Sequence, residues 1–111
     1  MARYVLIESR DPFESRDVNY YYDLAADLAA KGDNVTLFLV QNGVLATRKD
    51  ARDNPLSKLA EQGKVDIWVD AFSLRERGIE AGEQFSSLKA VEMGEFVDLV
   101  LQEDGTKVMW H

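Results

Sequence analysis

Carboxylates and arginines follow the apolar segments of this chain, and these are the positions where its side chains can do chemistry. In the stretch DIWVDAFSLRERGI, residues 66–79, an apolar run ends at Asp70, and Arg75 and Arg77 follow it. A carboxylate at the end of a buried strand can act as a base, bind a metal ion or anchor a neighbouring arginine. It can also cap a helix by accepting hydrogen bonds from the first backbone amides. We expect Asp70 to be a cap or an ion-pair partner, with a catalytic acid or base as the alternative.

Two more carboxylates, Glu8 and Asp11, come directly after the first apolar run. If the first and third strands are near neighbours in the sheet, these acids and Asp70 form one acidic cluster. Two neighbouring carboxylates can have different pKa values, or together they can bind a hard cation such as Mg²⁺. Because 20 of the 111 residues are acidic, chance clustering is also expected, and the sequence predicts no metal site.

The arginines suggest a site for an anion. The planar guanidinium groups of Arg75 and Arg77 suit sulfate, phosphate or carboxylate, whereas the structural interpretation is a solvated face or a contact with an acidic surface. Asn42 and Gly43 form a further turn after the second strand. The binding candidates are therefore Glu8, Asp11, Asn42, Gly43, Asp70, Arg75 and Arg77. His111 is the one histidine, so no histidine-based triad or metal site is predicted.

The elements that must position these residues alternate along the chain. Apolar runs predict strands over residues 3–9, 34–44, 65–71, 88–91 and 106–110. Strands that are apolar on both faces and alternate with helices are typical of a mainly parallel sheet with helices on each side. The sequence therefore predicts one α/β domain over residues 1–111.

Periodic apolar positions predict the helices between these strands. Asp11, Pro12 and Glu14 are spaced as in a capping box, which leaves open whether the first helix begins at Pro12 or a turn later. Residues 45–64 predict one or two short helices, broken near Pro55. The apolar residues expected on one side of each helix are Tyr21, Leu24, Ala25 and Leu28 in the first, Leu56, Leu59 and Ala60, facing inward, in the second region, and Met93, Phe96, Val97, Val100 and Leu101 in the last.

Composition narrows the functional classes. The chain has no cysteine, which excludes disulfides, thiolate metal sites and persulfide chemistry within these residues. A net charge of −7 argues against a nucleic-acid partner. No glycine-rich phosphate fingerprint follows a strand, so no nucleotide or other cofactor is predicted. The first segment is too short and too charged for a signal peptide or membrane span, which favours a cytoplasmic protein with no membrane partner.

Aromatic residues predict self-association. Tyr20, Tyr21 and Tyr22 cannot all point inward from one helix, because successive residues lie about 100° apart around the axis. With Trp68, Phe72, Phe85 and Trp110 they are more large aromatic residues than so small a core hides. Exposed aromatic patches mark interfaces, so a homo-oligomer is expected.

With these features in place, the chain resembles the DsrE/DsrF-like family, which includes the TusD-type sulfurtransferase subunits. The resemblance is carried by the segments GDNVTLFLVQNGV, VDIWVDAFSLRERGI and MGEFVDLVLQEDGTKVMW. It implies a small parallel α/β fold that assembles into homo- or hetero-oligomers, often trimers or hexamers. It also implies, for active members, a cysteine just after the third strand, eight residues before the turn glycine, that holds sulfur as a persulfide. Counting back from Gly78 reaches Asp70.

The resemblance and the missing thiol lead to one hypothesis and one alternative. The hypothesis is a cysteine-free, oligomeric DsrE-like binding or scaffolding protein, associated with sulfur metabolism but not itself a persulfide carrier or sulfurtransferase. Its partners are copies of itself or cysteine-bearing homologues of the family. The alternative is a small-anion or metal-assisted ligand site or enzyme in the inter-strand pocket, with Asp70 as base or cation ligand and Arg75 or Arg77 as anion partner.

Overall fold

A parallel β-sheet organises the protein. The computed structural model describes residues 2–13, 15–48, 55–80, 88–102 and 105–111. Its strands are β1 (Arg3–Glu8), β2 (Asn34–Leu39), β3 (Asp66–Asp70), β4 (Lys89–Val91) and β5 (Lys107–Trp110). They lie in the order β4-β3-β2-β1-β5, and every neighbouring pair is parallel. The predicted α/β fold with a mainly parallel sheet is confirmed.

Helices connect these strands. They are α1 (Asp17–Ala30), α2 (Pro55–Gln62), α3 (Ala71–Glu76) and α4 (Met93–Leu101), with a 3₁₀-helix over Gln41–Thr47. None of the helices in the described ranges is long and apolar enough to cross a membrane.

The two faces of the sheet build two separate cores, because successive strand residues point to opposite sides. On one face, Leu6, Leu37 and Val69 pack with buried residues of α1 and α2. On the other face, Val5 and Ile7 of β1 pack with Phe38 of β2 and Phe96 of α4. The rings of Phe38 and Phe96 stack with centroids 4.1 Å apart, which fixes α4 against the sheet.

Of the two starts that the sequence left open for the first helix, the structure has the later one. It starts at Asp17, five residues after Pro12, and Glu14 lies outside the described residues. The Asp11 carboxylate accepts a hydrogen bond from the backbone N–H of Phe13 (3.0 Å) and so stabilises the turn that precedes the helix.

The buried side of α1 also differs from the prediction. The helix buries Val18, Tyr22 and Ala25, whereas Leu24 is exposed. The prediction therefore placed the apolar stripe about one residue away from its true position. The tyrosines account for the error, because an amphipathic tyrosine ring can lie either in a core or at a surface.

The second strand is shorter than predicted. It ends at Leu39, and residues 41–47 wind into the 3₁₀-helix instead of continuing to Val44. The backbone N–H of Val40 donates to the carbonyl of Glu8 (3.0 Å), and Gly43 lies directly against that same carbonyl, with no room for a Cβ atom. This close approach of backbone to backbone turns the chain across the end of β1.

Candidate functional site

The carboxyl-terminal edge of the sheet carries most of the predicted site residues, which fall into two groups. The β3 cluster consists of Asp70, Ser73 and Gln41. The β1 cluster consists of Glu8, His111, Tyr21 and Tyr22. Since β2 lies between β1 and β3, the strands that carry Glu8 and Asp70 are not neighbours, which was the condition for one joint acidic cluster.

Asp70 caps α3. Its Oδ2 atom accepts hydrogen bonds from the backbone N–H (3.2 Å) and the hydroxyl (2.6 Å) of Ser73, and the side chain is 5% exposed. The Ser73 Oγ atom in turn accepts a hydrogen bond from the backbone N–H of Gln41 (2.8 Å). The carboxylate therefore orients a hydroxyl that holds the 3₁₀-helix. The other oxygen, Oδ1, is buried and has no hydrogen-bond partner within the described part of the chain.

The two arginines predicted to bind an anion contact oxygen atoms of the chain itself. Arg75 makes two hydrogen bonds with Glu92, at 2.9 and 3.4 Å. This pairing raises the pKa of the Arg75 guanidinium and lowers the pKa of the Glu92 carboxyl. Arg77 donates through Nε and Nη2 to Oδ1 of Asn42 (3.2 and 3.1 Å) and through Nη1 to the carbonyl of Ser73 (3.3 Å). A free anion would have to displace these contacts.

Glu8 and His111 form a pair that the sequence did not indicate. The Nδ1 atom of His111 lies 2.7 and 3.0 Å from the two carboxylate oxygens of Glu8. The Glu8 side chain is fully buried, and the backbone N–H of Arg10 also donates to it (3.1 Å). The pairing follows from the sheet register. Ile7 lies opposite Trp110, so the residues that follow them, Glu8 and His111, also lie opposite each other. The Glu8–His111 pair could have been predicted only from knowledge that the last strand pairs with the first.

Two tyrosines of α1 complete the β1 cluster. The Tyr21 ring stacks on the His111 imidazole with centroids 5.2 Å apart, and its hydroxyl donates to the carbonyl of Met109 (2.7 Å). Burial and the nearby charge of Glu8 raise the pKa of Tyr21 to about 12. Tyr22 is 2% exposed, and its hydroxyl has no hydrogen-bond partner in the described ranges. Burial, then the charges of Glu8 and Asp11, raise the pKa of Tyr22 far above its ordinary value.

The 3₁₀-helix joins the two clusters. Gly43 packs against the backbone of Glu8 and Arg10, Asn42 holds Arg77, and Gln41 donates to Ser73. Gln41 adopts a positive φ of 51°, which is uncommon for a residue with a side chain. The predicted turn residues therefore act as connectors between β1 and α3.

Asp11 and the acidic residues do not assemble a metal site in the described ranges. Asp11 is mostly buried. Within the residues that the structure describes, no group of three His, Cys, Asp or Glu side chains could hold a metal ion.

A cavity of about 410 Å³ lies away from both clusters. It is lined by Trp68, Glu95, Asp98, Leu99 and Gln102, so it lies beside α4 and contains none of the predicted site residues. The ammonium group of Lys89 lies over the Trp68 ring, 4.7 Å from its centroid, next to this cavity.

Comparison with known proteins gives a family and a fold. The model of the DsrE/DsrF-like family matches residues 2–109. Among solved structures, the ychN protein from E. coli is similar with a TM-score of 0.85 at 18% identity. MTH1491 from Methanobacterium thermoautotrophicum, described as a protein of unknown function, is similar with a TM-score of 0.79 at 20% identity. Both comparisons cover 100% of this chain and 100% of the other. At such identities the likeness concerns the fold alone, and no curated protein matches the chain.

Proposed function

The chain belongs to the DsrE/DsrF-like family, and we propose that within it this protein is an oligomeric binding or scaffolding subunit that carries no persulfide itself. The proposal includes an association with sulfur metabolism, in keeping with the resemblance to sulfurtransferase subunits. It also includes a cytoplasmic location, with which a cysteine-free chain is compatible.

The observation that carries the proposal is the role of Asp70. The resemblance implies that active members hold sulfur on a cysteine just after β3, and counting back from Gly78 places Asp70 there. Its carboxylate accepts two hydrogen bonds from Ser73 and caps α3. A carboxylate cannot form a persulfide, and the 111 residues contain no other thiol. The position therefore serves the fold and has no sulfur atom to load.

Intact mass measurement after incubation with a persulfide donor tests the absence of a carrier function. We expect no stable gain of one sulfur atom on this chain, whereas a cysteine-bearing family member treated in parallel should gain one. A stable gain on this chain would end the proposal.

An exposed apolar surface supports the oligomeric part. The α4 surface comprises Met93, Val97, Leu101, Val108 and Trp110, all of which are exposed. The first three recur every four residues on α4, and the other two lie on the same sheet face, because β5 pairs them with Val5 and Ile7 of the core under α4. A small domain rarely leaves so many large apolar side chains in water without a partner.

Light scattering at micromolar concentration tests this surface. We expect a trimer or hexamer for the wild type and a smaller species for Leu101→Glu, because a buried unpaired charge opposes association. Gln62→Glu, at the exposed end of α2, adds the same charge elsewhere and should leave the mass unchanged. A monomeric mass for the wild type would contradict the proposed homo-oligomer. Pull-down from the native host then distinguishes self-assembly from assembly with a cysteine-bearing homologue.

A second candidate function is a small-ligand site at Asp70. Its support is the buried Oδ1 atom, which has no hydrogen-bond partner among the described residues. The substitution Asp70→Asn separates the two candidates, since asparagine caps a helix about as well as aspartate. If a small anion or Mg²⁺ raises the melting temperature of the wild type but not of an equally stable Asp70→Asn protein, the ligand site is favoured.

A further inference from the structure

We propose that the imidazole of His111 is a proton-accepting site of this protein, and that Glu8 is the residue that positions it. The site would take a small neutral ligand that loses a proton as it reacts. It lies at the carboxyl end of β1, separate from Asp70, and does not depend on the proposed scaffolding role.

The contact with Glu8 determines which ring nitrogen carries the lone pair. An ionised carboxylate only accepts hydrogen bonds, so with Glu8 ionised, Nδ1, at 2.7 Å, is the nitrogen that donates to it. In the neutral ring the lone pair then resides on Nε2. Nε2 forms no hydrogen bond with a described residue, and the His111 side chain is 24% exposed. A carboxylate that orients an imidazole in this way is the arrangement that proteins use to make histidine a base.

Stacking and main-chain hydrogen bonds fix the position of the ring. Tyr21 stacks on one face and is itself fixed to the carbonyl of Met109. The backbone N–H of His111 donates to the carbonyl of Ile7 (2.8 Å), and the main-chain oxygen of His111 accepts from the hydroxyl of Ser9 (2.9 Å). A base that is fixed before the ligand arrives loses little conformational entropy on reaction.

Polar groups around the pair suit a proton-transfer site better than a purely structural contact. A fully buried carboxylate is expensive unless it is well paired, yet the described partner side chain of Glu8 is a histidine that is itself partly exposed. The ionisable side chains that interact with the pair are Tyr21, whose ring stacks on His111, and Tyr22, whose pKa is raised in part by the charge of Glu8. The Tyr22 hydroxyl is buried with no partner in the described ranges and stays protonated, since its pKa is raised.

The base-catalysed ring-opening elimination of nitrobenzisoxazole tests the proposal. This probe is neutral, and its reaction rate measures the activity of a base on the protein without any cofactor. The base removes the proton on the ring carbon, the N–O bond breaks as the nitrile forms, and the product is a coloured cyanonitrophenolate. The proton ends on Nε2 and returns to solvent. Because the chain has a single histidine, an untagged preparation attributes the rate to one ring.

We expect the wild type to accelerate the elimination over His111→Gln, and Glu8→Gln to lower kcat by roughly 10- to 100-fold with a smaller change in KM. Gln62→Glu, which is remote from the pair, should match the wild type. A wild-type rate equal to that of His111→Gln would overturn the proposal. Equal rates for folded wild type and folded Glu8→Gln would overturn the role of Glu8.

Nitrogen NMR of the wild type decides the matter even if Glu8→Gln does not fold. When the ring of the single histidine is neutral, its proton should lie on Nδ1. In a folded Glu8→Gln protein the side-chain amide can donate instead, so the proton should move toward Nε2. A neutral wild-type ring with its proton on Nε2 would contradict the proposal.

Discussion

The β1 and β3 clusters both place a buried carboxylate at the end of a parallel strand, yet they satisfy it in different ways. Asp70 accepts two hydrogen bonds through Oδ2 from Ser73, three residues further along the chain at the start of a helix, while its Oδ1 has no described partner. Glu8 is satisfied by His111, 103 residues away, through an ionisable ring. The first arrangement is local and forms together with α3. The second exists only when the last strand has paired with the first.

This difference assigns a structural role to the β3 cluster and a chemical role to the β1 cluster. In the β3 cluster every donor is neutral, and the nearby arginines are bound to Glu92 and Asn42. In the β1 cluster a fully buried acid controls the proton of a partly exposed base. The position that the family resemblance associates with sulfur chemistry is thus the structural one in this chain, and the reactive geometry lies two strands away.

Removal of the Glu8 carboxylate should produce the largest loss of stability. Glu8→Ala leaves a cavity and strands the Nδ1 donor of His111 and the N–H of Arg10. We expect the free energy of unfolding to fall by about 3–5 kcal/mol, as for other broken buried pairs. Urea unfolding at one fixed protein concentration measures it. A loss below about 1 kcal/mol would show that the pair is solvated and that the two clusters are energetically alike.

Substitution of the glycine between the clusters should have the next largest effect. A Cβ atom at position 43 meets the backbone carbonyl of Glu8, which cannot move aside as a side chain can. Gly43→Ala should therefore cost about 1–3 kcal/mol through overpacking. It should also slow nitrobenzisoxazole elimination, because the shift is transmitted to Glu8. The surface substitution Gly94→Ala, where a Cβ meets open space, is the control. Equal stability of the two variants would mean that the 3₁₀-helix does not couple the clusters.

Loss of the cap at Asp70 should cost less, because its contacts are local. Asp70→Ala removes two hydrogen bonds from Ser73, and we expect a loss of about 1–2 kcal/mol, in the range of other N-cap deletions. Asp70→Asn keeps an acceptor and should lose less than half of that amount. Thermal or urea unfolding of the three proteins gives the order. If Asp70→Asn is as damaging as Asp70→Ala, the charge matters and the cluster is more than a cap.

The sequence predicted the fold where local pattern decides it. Runs such as Ile67 to Val69 are apolar on both faces, and Leu56 and Leu59 repeat at helical spacing, so β3 and α2 were placed correctly. The start of α1 and the end of β2 were not predictable from local signals. They depend on the turn around Asp11 and on the packing of Gly43 against Glu8, which involve residues far apart in the sequence.

The candidate site divides in the same way. The cap at Asp70 followed from the residues after it, because an acid before a short helical segment has a local partner. The partner of Glu8 had no local signal, since His111 meets it only through the pairing of β1 with β5. Likewise, the partners of Arg75 and Arg77 lie 17 and 35 residues away in sequence.

The smallest effect should come from Tyr22→Phe, and it should have the opposite sign. The Tyr22 hydroxyl is buried without a described partner, so its removal should stabilise the protein by about 1 kcal/mol. The stabilisation by Tyr22→Phe should grow at high pH.

Folding raises the pKa of Tyr21 and Tyr22. Above about pH 10, the ordinary tyrosine pKa, the unfolded chain therefore loses protons that the folded chain keeps. Stability then falls as the pH rises, and for Tyr21 the fall continues to about 12. Tyr22→Phe removes one of the two groups, so its stability should decline less steeply in urea unfolding at pH 9 to 11. A parallel decline would mean that Tyr22 has a hydrogen-bond partner that keeps its pKa ordinary, and the β1 cluster would then not contain an unpaired buried hydroxyl.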